Sequence, residues 1–79
     1  MAKRLTAARR AEIQDEALDM LRRDWNWTPR DEMEGLAEVF VGWLIEAYGS
    51  EASDRVLGQI VDEAFKRFGL SQYRDMFVI

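Results

Sequence analysis

The segment from Pro29 to Tyr48 constrains the fold most, because it carries too many apolar side chains for one side of a helix. On a helical wheel these side chains cover an arc of roughly 240°, whereas the stripe of an ordinary surface helix covers about 100°. They are Met33, Leu36, Ala37, Val39, Phe40, Val41, Trp43, Leu44, Ile45, Ala47 and Tyr48. We therefore expect this helix to be covered on at least two sides, by other helices, by the end of the chain or by a second molecule.

Apolar periodicity divides the chain into four helical segments. It predicts helices at about residues 6–24, 29–48, 51–68 and 71–77. Thr28 favours an N-cap, with Pro29 in the first helical position of the second segment. The connections are short, which favours antiparallel neighbours. We predict an all-α fold in a single domain, residues 1–79, as a compact three-helix bundle closed by a short fourth C-terminal helix or turn.

Small and flexible residues mark the ends of the third segment. Gly49 ends the second helix, and either Ser50 or Ser53 caps the next one. Gly69 fits the left-handed position after a helix, which would bring Leu70 back onto the preceding turn.

The composition argues against catalysis. The chain has 79 residues, a net charge of −4, and neither histidine nor cysteine. The commonest general base, the commonest metal ligand, disulfides and thiolate metal sites are therefore all missing. Acidic pairs on outer helix faces are usually solvated surface. We expect a protein that is not an enzyme and uses no cofactor or metal.

The hydropathy of the sequence predicts the cellular compartment of the protein. The longest apolar run, VFVGWLI, has seven residues, well below the roughly 20 that a membrane span requires. The N-terminal stretch is charged and interrupted, unlike a secretory signal. We expect a cytoplasmic protein without a membrane partner.

Two glycines lie inside the second helical segment. Gly35 and Gly42 share its polar strip, and Gly49 follows a further seven residues on. A glycine inside a helix costs about 0.8–1 kcal/mol relative to alanine. We expect something to approach the backbone there. The simpler candidate is another helix of the same chain, and the alternative is a second subunit or a foreign partner.

Exposed and terminal apolar residues are further candidates for binding. Trp27 lies in the loop before the second helix and is the tryptophan expected to face solvent. Phe77 and Ile79 belong to an apolar tail that must dock to avoid leaving a large apolar patch in water. The second helix is the simpler place for it, and another subunit is the alternative.

Charged residues are unevenly distributed along the chain, and this distribution is compatible with two alternative functions. Residues 1–30 carry seven basic and five acidic side chains, a net of +2, whereas residues 31–79 carry four basic and ten acidic ones, a net of −6. An acidic ridge that includes Asp31, Glu34, Glu38 and Glu46 could imitate nucleic acid. The basic cluster at the N-terminus could instead track phosphates, although the sequence pI of about 4.7 disfavours this. The cluster comprises Lys3, Arg4, Arg9 and Arg10.

Taken together, these features predict a small interaction or regulatory protein that binds a protein partner stoichiometrically, with a homodimer as one option. The first alternative is an acidic inhibitor that imitates nucleic acid, of the phage counter-defence type. The second is a nucleic-acid binder that uses the basic cluster, which the acidic pI disfavours. The candidate partner-binding residues are Trp27, Asp31, Glu34, Gly35, Glu38, Gly42, Glu46, Phe77 and Ile79.

Overall fold

A computed structural model describes residues 5–79, which form three α-helices and two short 3-10 helices with no strand in this part of the chain. Helix α1 spans Ala7–Trp25, α2 spans Met33–Tyr48 and α3 spans Asp54–Phe68. The 3-10 helices are Arg30–Glu32, which leads into α2, and Ser71–Met76, which follows α3. The predicted all-α bundle with a short C-terminal closing helix is confirmed.

Side-chain caps begin two of the helices. The Thr6 hydroxyl accepts a hydrogen bond from the amide of Arg9 at 3.1 Å and starts α1. The Ser53 hydroxyl accepts one from the amide of Val56 at 3.4 Å and starts α3. Such caps satisfy amides that have no partner within the helix. Of the two serines that the sequence offered, Ser53 is therefore the cap.

Helix α3 ends as predicted. Gly69 has a φ of 68°, in the left-handed region that glycine adopts without a steric penalty. The Leu70 amide donates to the Phe65 carbonyl at 2.8 Å, the long hydrogen bond of a Schellman ending. Leu70 is buried as a result, and the chain turns back along α3.

The predicted N-cap of the second helix is wrong. The Thr28 hydroxyl does not cap it, but donates to the Asp24 carbonyl at 2.6 Å, at the end of α1. Pro29 is extended, with a ψ of 149°, and α2 begins only at Met33. A threonine hydroxyl bonds readily to the carbonyl four residues back, and the last carbonyls of a helix have no intrahelical amide. The threonine therefore belongs to the end of the preceding helix.

The core consists of apolar side chains from all three α-helices, and no polar or charged residue of the described chain is buried. Phe40 of α2 meets Phe65 of α3 at its centre, with ring centroids 6.0 Å apart. The largest fully buried side chains are Phe40, Phe65, Ile13, Leu21, Leu44, Leu57, Ile60, Leu70 and Val61.

Among residues 5–79, helix α2 is covered on one side only, contrary to the prediction. Phe40 and Leu44 are fully buried, but Val39 is 59% exposed and Ile45 is 40% exposed. Both α1 and α3 contact α2, and its buried residues occupy a single side of the helix. The wheel gave the correct set of apolar residues but did not show where the neighbouring helices lie.

The C-terminal tail also departs from the simpler prediction, because it packs on α3 and leaves the open side of α2 uncovered. The Phe77 ring stands edge-on to Phe65 at 6.0 Å. The Arg74 guanidinium donates to the carbonyls of Phe77, at 2.9 Å, and Ile79, at 2.7 Å. Phe77 and Ile79 are therefore half-buried, whereas Val78 between them is 99% exposed.

Candidate protein-binding surface

The two glycines of α2 face open space. A Cβ atom built on Gly35 or Gly42 has no neighbour within 4 Å among the described residues, apart from the helix's own backbone. The expectation that another helix of the chain packs against them is therefore wrong. Gly58 on α3 is the opposite case, since its Cβ would lie 2.8 Å from the Ile79 carbonyl oxygen. Close approach of the chain itself explains Gly58 and does not explain the glycines of α2.

The glycines belong to a continuous exposed strip, which we call the outer face of α2. It combines two positions without side chains, two apolar side chains and three carboxylates. Its residues are Glu34, Gly35, Glu38, Val39, Gly42, Ile45 and Glu46. The strip follows the helix for about 18 Å, given a rise of 1.5 Å per residue.

A groove, which we call the Trp27 groove, adjoins the N-terminal half of this strip. It has a volume of about 610 Å³ and lies between the end of α1, the connecting loop and the start of α2. Trp27 stands on one side of it with 86% of its surface exposed, and Gly35 and Val39 line the side formed by α2. Five carboxylates also line the groove, those of Asp24, Asp31, Glu32, Glu34 and Glu38.

The Trp27 groove is uniformly acidic. No lysine or arginine of residues 5–79 lines it. Within residues 5–79, the ion pairs join Arg9 to Glu12 and Glu51, and Arg74 to Asp62, so none of them involves a groove carboxylate. Several like charges beside a concave surface concentrate a negative potential there. The groove is therefore suited to a cationic group and unsuited to an anion.

The basic residues at the other end of α1 are used within the fold. The Arg9 guanidinium donates to both carboxylate oxygens of Glu51, at 2.8 and 3.0 Å, and to Glu12 at 3.0 Å. It also lies over the Tyr48 ring, 5.6 Å from the centroid. Hydrogen bonding to Glu51, and then to Glu12, raises the pKa of Arg9 above its usual value. Arg9 thus connects α1 to the loop between α2 and α3.

The other basic residues of the N-terminal cluster bear on the prediction that this cluster binds nucleic acid. The Arg10 guanidinium hydrogen-bonds the side-chain carbonyl of Gln59 on α3. Lys3 and Arg4 lie outside the described residues. Of the four cations predicted to follow phosphates, Arg9 and Arg10 therefore have partners within the protein.

The structure divides the predicted binding residues into two groups. Trp27, Asp31, Glu34, Gly35 and Glu38 come together around the groove, and Gly42 and Glu46 continue along the outer face of α2. Phe77 and Ile79, in the C-terminal tail, lie apart from these residues and pack against α3.

Sequence reasoning missed several surface residues. Val39 and Ile45 were counted within the apolar arc that needs cover, and Asp24 was not assigned to the site. In the tail, the exposed apolar side chain is that of Val78. The positions of α1 and α3 around α2 decide which apolar residues stay outside, and the wheel contains no signal for those positions.

Neither a metal-ligand cluster nor a membrane-spanning helix is found in the part of the chain that the structure describes. No group of three His, Cys, Asp or Glu side chains in residues 5–79 is placed to hold a metal ion. No helix within the same range is long and apolar enough to cross a membrane. Comparisons with protein-family models, curated proteins and solved structures give no match to this chain. The function is therefore argued from the geometry.

Proposed function

We propose that this protein is a non-catalytic cytoplasmic module that binds another protein stoichiometrically through the outer face of α2 and the Trp27 groove. The observation that carries the proposal is the open space over Gly42, beside the exposed side chains of Val39 and Ile45. A helix interior with a bare backbone and exposed apolar flanks is typical of a surface that a partner covers.

The energetics support this proposal. A glycine in a helix interior costs about 0.8–1 kcal/mol relative to alanine, and a domain of this size has only a few kcal/mol of net stability. At Gly42 no contact within the described chain offsets that cost. In the complex, a partner offsets this cost if its atoms approach the helix backbone more closely than a side chain at residue 42 would allow.

Trp27 supplies a second element of a binding surface. Tryptophan is enriched among the residues that contribute most to protein–protein binding, where its ring is fully covered by the partner. In the isolated chain Trp27 is 86% exposed and lines the same groove as Gly35 and Val39. The groove thus offers an aromatic anchor next to a position where the helix backbone is accessible.

The acidic inhibitor that imitates nucleic acid is the second candidate. The five carboxylates of the groove, which form no ion pair within residues 5–79, favour it. Against it, apolar side chains and bare glycines interrupt the carboxylates along α2, whereas a phosphate backbone offers charge without apolar patches. A competition assay decides: an acidic mimic displaces DNA or RNA from its partner, and the displacement weakens as salt is added.

The nucleic-acid binder is the less favoured alternative. Arg9 and Arg10 form hydrogen bonds within the fold, and using them for phosphates would break those contacts. A filter-binding assay with labelled DNA and RNA tests it, because phosphate contacts release counterions and so weaken steeply as salt is added.

A pull-down with matched variants tests the leading proposal. The immobilised wild type, Gly42→Leu, Trp27→Ser and the control Val78→Ser are compared in lysate of the organism that encodes the protein. Val78 is a suitable control because it is an exposed apolar residue outside the proposed surface. We expect the same partner on the wild type and the control, and its loss from the other two. A partner retained by Gly42→Leu and Trp27→Ser as well as by the wild type would refute the proposed surface.

A further inference from the structure

We infer that the segment bound by this surface is a cationic amphipathic helix of the partner protein, lying along the outer face of α2. The inference rests on the proposed function and adds the chemical class of the partner. It follows from the shape of the strip and from the sign of its charge.

The shape of the strip fits a helix. Gly35 and Gly42 are seven residues apart, so they lie on the same side of α2, about 10 Å apart along its axis. The distance between two packed helices depends on the side chains at their contact, and small residues permit the closest approach. Val39 and Ile45 stand on either side of the line through the glycines, so the apolar stripe of a helix can rest between them.

The charge of the strip requires a cationic partner. Glu34, Glu38 and Glu46 flank the glycines, and the outer face of α2 contains no lysine or arginine. A helix with basic side chains along both borders of an apolar stripe matches this pattern, because its charges meet carboxylates while the stripe meets the glycines. The exposed ring of Trp27 offers an additional contact to a guanidinium or an ammonium group.

The same charges disfavour a second copy of this chain. In a symmetric dimer through this face, the carboxylates of Glu34, Glu38 and Glu46 would approach those of the other subunit. With no basic side chain on the face, every such approach is repulsive, and like charges brought together at an interface are strongly unfavourable. The pattern of charges on α2 thus favours a foreign basic helix over a homodimer.

Synthetic helices of defined charge test the partner class. The probes are three labelled peptides of about 18 residues: an amphipathic Lys/Leu helix, a Lys/Leu peptide of the same composition in scrambled order, and an amphipathic Glu/Leu helix. Fluorescence anisotropy at about 0.15 M salt measures their binding to the protein. We expect one Lys/Leu helix per chain, binding about tenfold weaker for the scrambled peptide, and no binding of the Glu/Leu helix. Equal binding of the ordered and scrambled peptides would overturn the inference.

Two variants test where the cationic helix binds, and a control variant removes the same number of charges elsewhere on the surface. Glu34→Gln combined with Glu38→Gln removes two charges from the surface, whereas Asp15→Asn combined with Asp75→Asn removes two exposed charges outside the groove and the outer face. We expect about tenfold weaker binding in the first variant and little change in the second. We also expect about tenfold weaker binding in Gly42→Leu, whose charge is unchanged. An equal loss in the control, or no loss in Gly42→Leu, would overturn the inference.

Read together with the pull-down, the peptide experiment separates the two proposals. If Gly42→Leu loses the natural partner while no cationic helix binds the wild type, the proposed function stands and the partner class is wrong. If Gly42→Leu and Trp27→Ser both keep the natural partner, the proposed surface fails and this inference fails with it. If light scattering shows a wild-type dimer that Gly42→Leu abolishes, the face binds a second copy and the inference is wrong.

Discussion

The position of a Cβ atom on Gly58 lies 2.8 Å from the carbonyl oxygen of Ile79. Real Cβ atoms essentially never approach a neighbour within 3.0 Å, so the tail lies along α3 only because residue 58 has no side chain. Arg74, which also pairs with Asp62 on α3, holds the main chain of the tail in this place. The sequence showed the apolar tail, but it did not show that a glycine on α3 receives it.

Gly58→Ala should therefore release the end of the tail. The new methyl group gains helix propensity of about 0.8–1 kcal/mol, but it displaces Ile79 and loosens the contact between Phe77 and Phe65. We expect a small net change in the free energy of unfolding, together with faster hydrogen exchange and faster carboxypeptidase cleavage at residues 77–79. Unchanged protection of the tail would show that it does not depend on the space at Gly58.

Gly42→Ala should stabilise the protein. No atom outside the local helix backbone lies within 4 Å of the new methyl group among the described residues, so only the helix propensity changes. We expect a gain of about 0.8–1 kcal/mol in the free energy of unfolding, or about 4–8 °C in Tm. Urea and thermal unfolding measure it. No gain would mean that the isolated chain already makes a contact at Gly42.

Gly69→Ala should destabilise the protein, in contrast to Gly42→Ala. With a φ of 68°, Gly69 occupies the left-handed region, where an alanine is strained. We expect a loss of about 1–2 kcal/mol in the free energy of unfolding, because the left-handed conformation costs about that much for a residue with a Cβ. A variant as stable as the wild type would contradict the Schellman ending of α3.

Helix periodicity and end signals gave the fold, for identifiable reasons. Ser53 and Gly69 act locally, since a cap or a left-handed residue depends only on its neighbours in sequence, and both were recognised as candidates. Thr28 was misassigned because two helix ends lie within reach of its hydroxyl, and local sequence does not choose between them.

The candidate site was only partly predictable. The acidic side chains and Trp27 are polar or loop residues that a chain of this type leaves outside, so they could be identified from the sequence. The exposure of Val39 and Ile45 depends instead on both neighbouring helices packing against the same side of α2. That is a property of the assembled bundle and is not encoded in the periodicity of α2 alone.

The contact between Arg9 and Glu51 should hold the loop between α2 and α3. Arg9→Lys keeps the charge but cannot form the two parallel hydrogen bonds at 2.8 and 3.0 Å. We expect a lower Tm in Arg9→Lys and a lower one still in Arg9→Gln, with differences that shrink in high salt because the pair is partly exposed. A control variant, Arg55→Gln on the exposed side of α3, should leave Tm unchanged.

The pH dependence of this effect follows from the raised pKa of Arg9. A group whose pKa is higher in the folded than in the unfolded state contributes stability in full below its unfolded pKa and loses it only as the pH rises through the folded value. Both values of Arg9 lie far above neutrality. The difference in Tm between wild type and Arg9→Gln should therefore stay constant from about pH 6 to about pH 9. A difference that disappears within this range would contradict the assignment.

Trp25 and Trp27 should respond in opposite ways to replacement, although only one residue separates them. Trp25 packs against Phe68, with ring centroids 5.4 Å apart, whereas Trp27 is 86% exposed. We expect Trp25→Ser to lower the free energy of unfolding by about 2 kcal/mol, from lost burial and the lost ring contact. Trp27→Ser should change it by less than about 0.5 kcal/mol, as is usual for an exposed position. Urea unfolding measures both, and acrylamide quenching should fall most in Trp27→Ser because that variant removes the most accessible indole. A large loss of stability in Trp27→Ser would mean that the ring packs against the chain, and it could then not serve as an anchor for a partner.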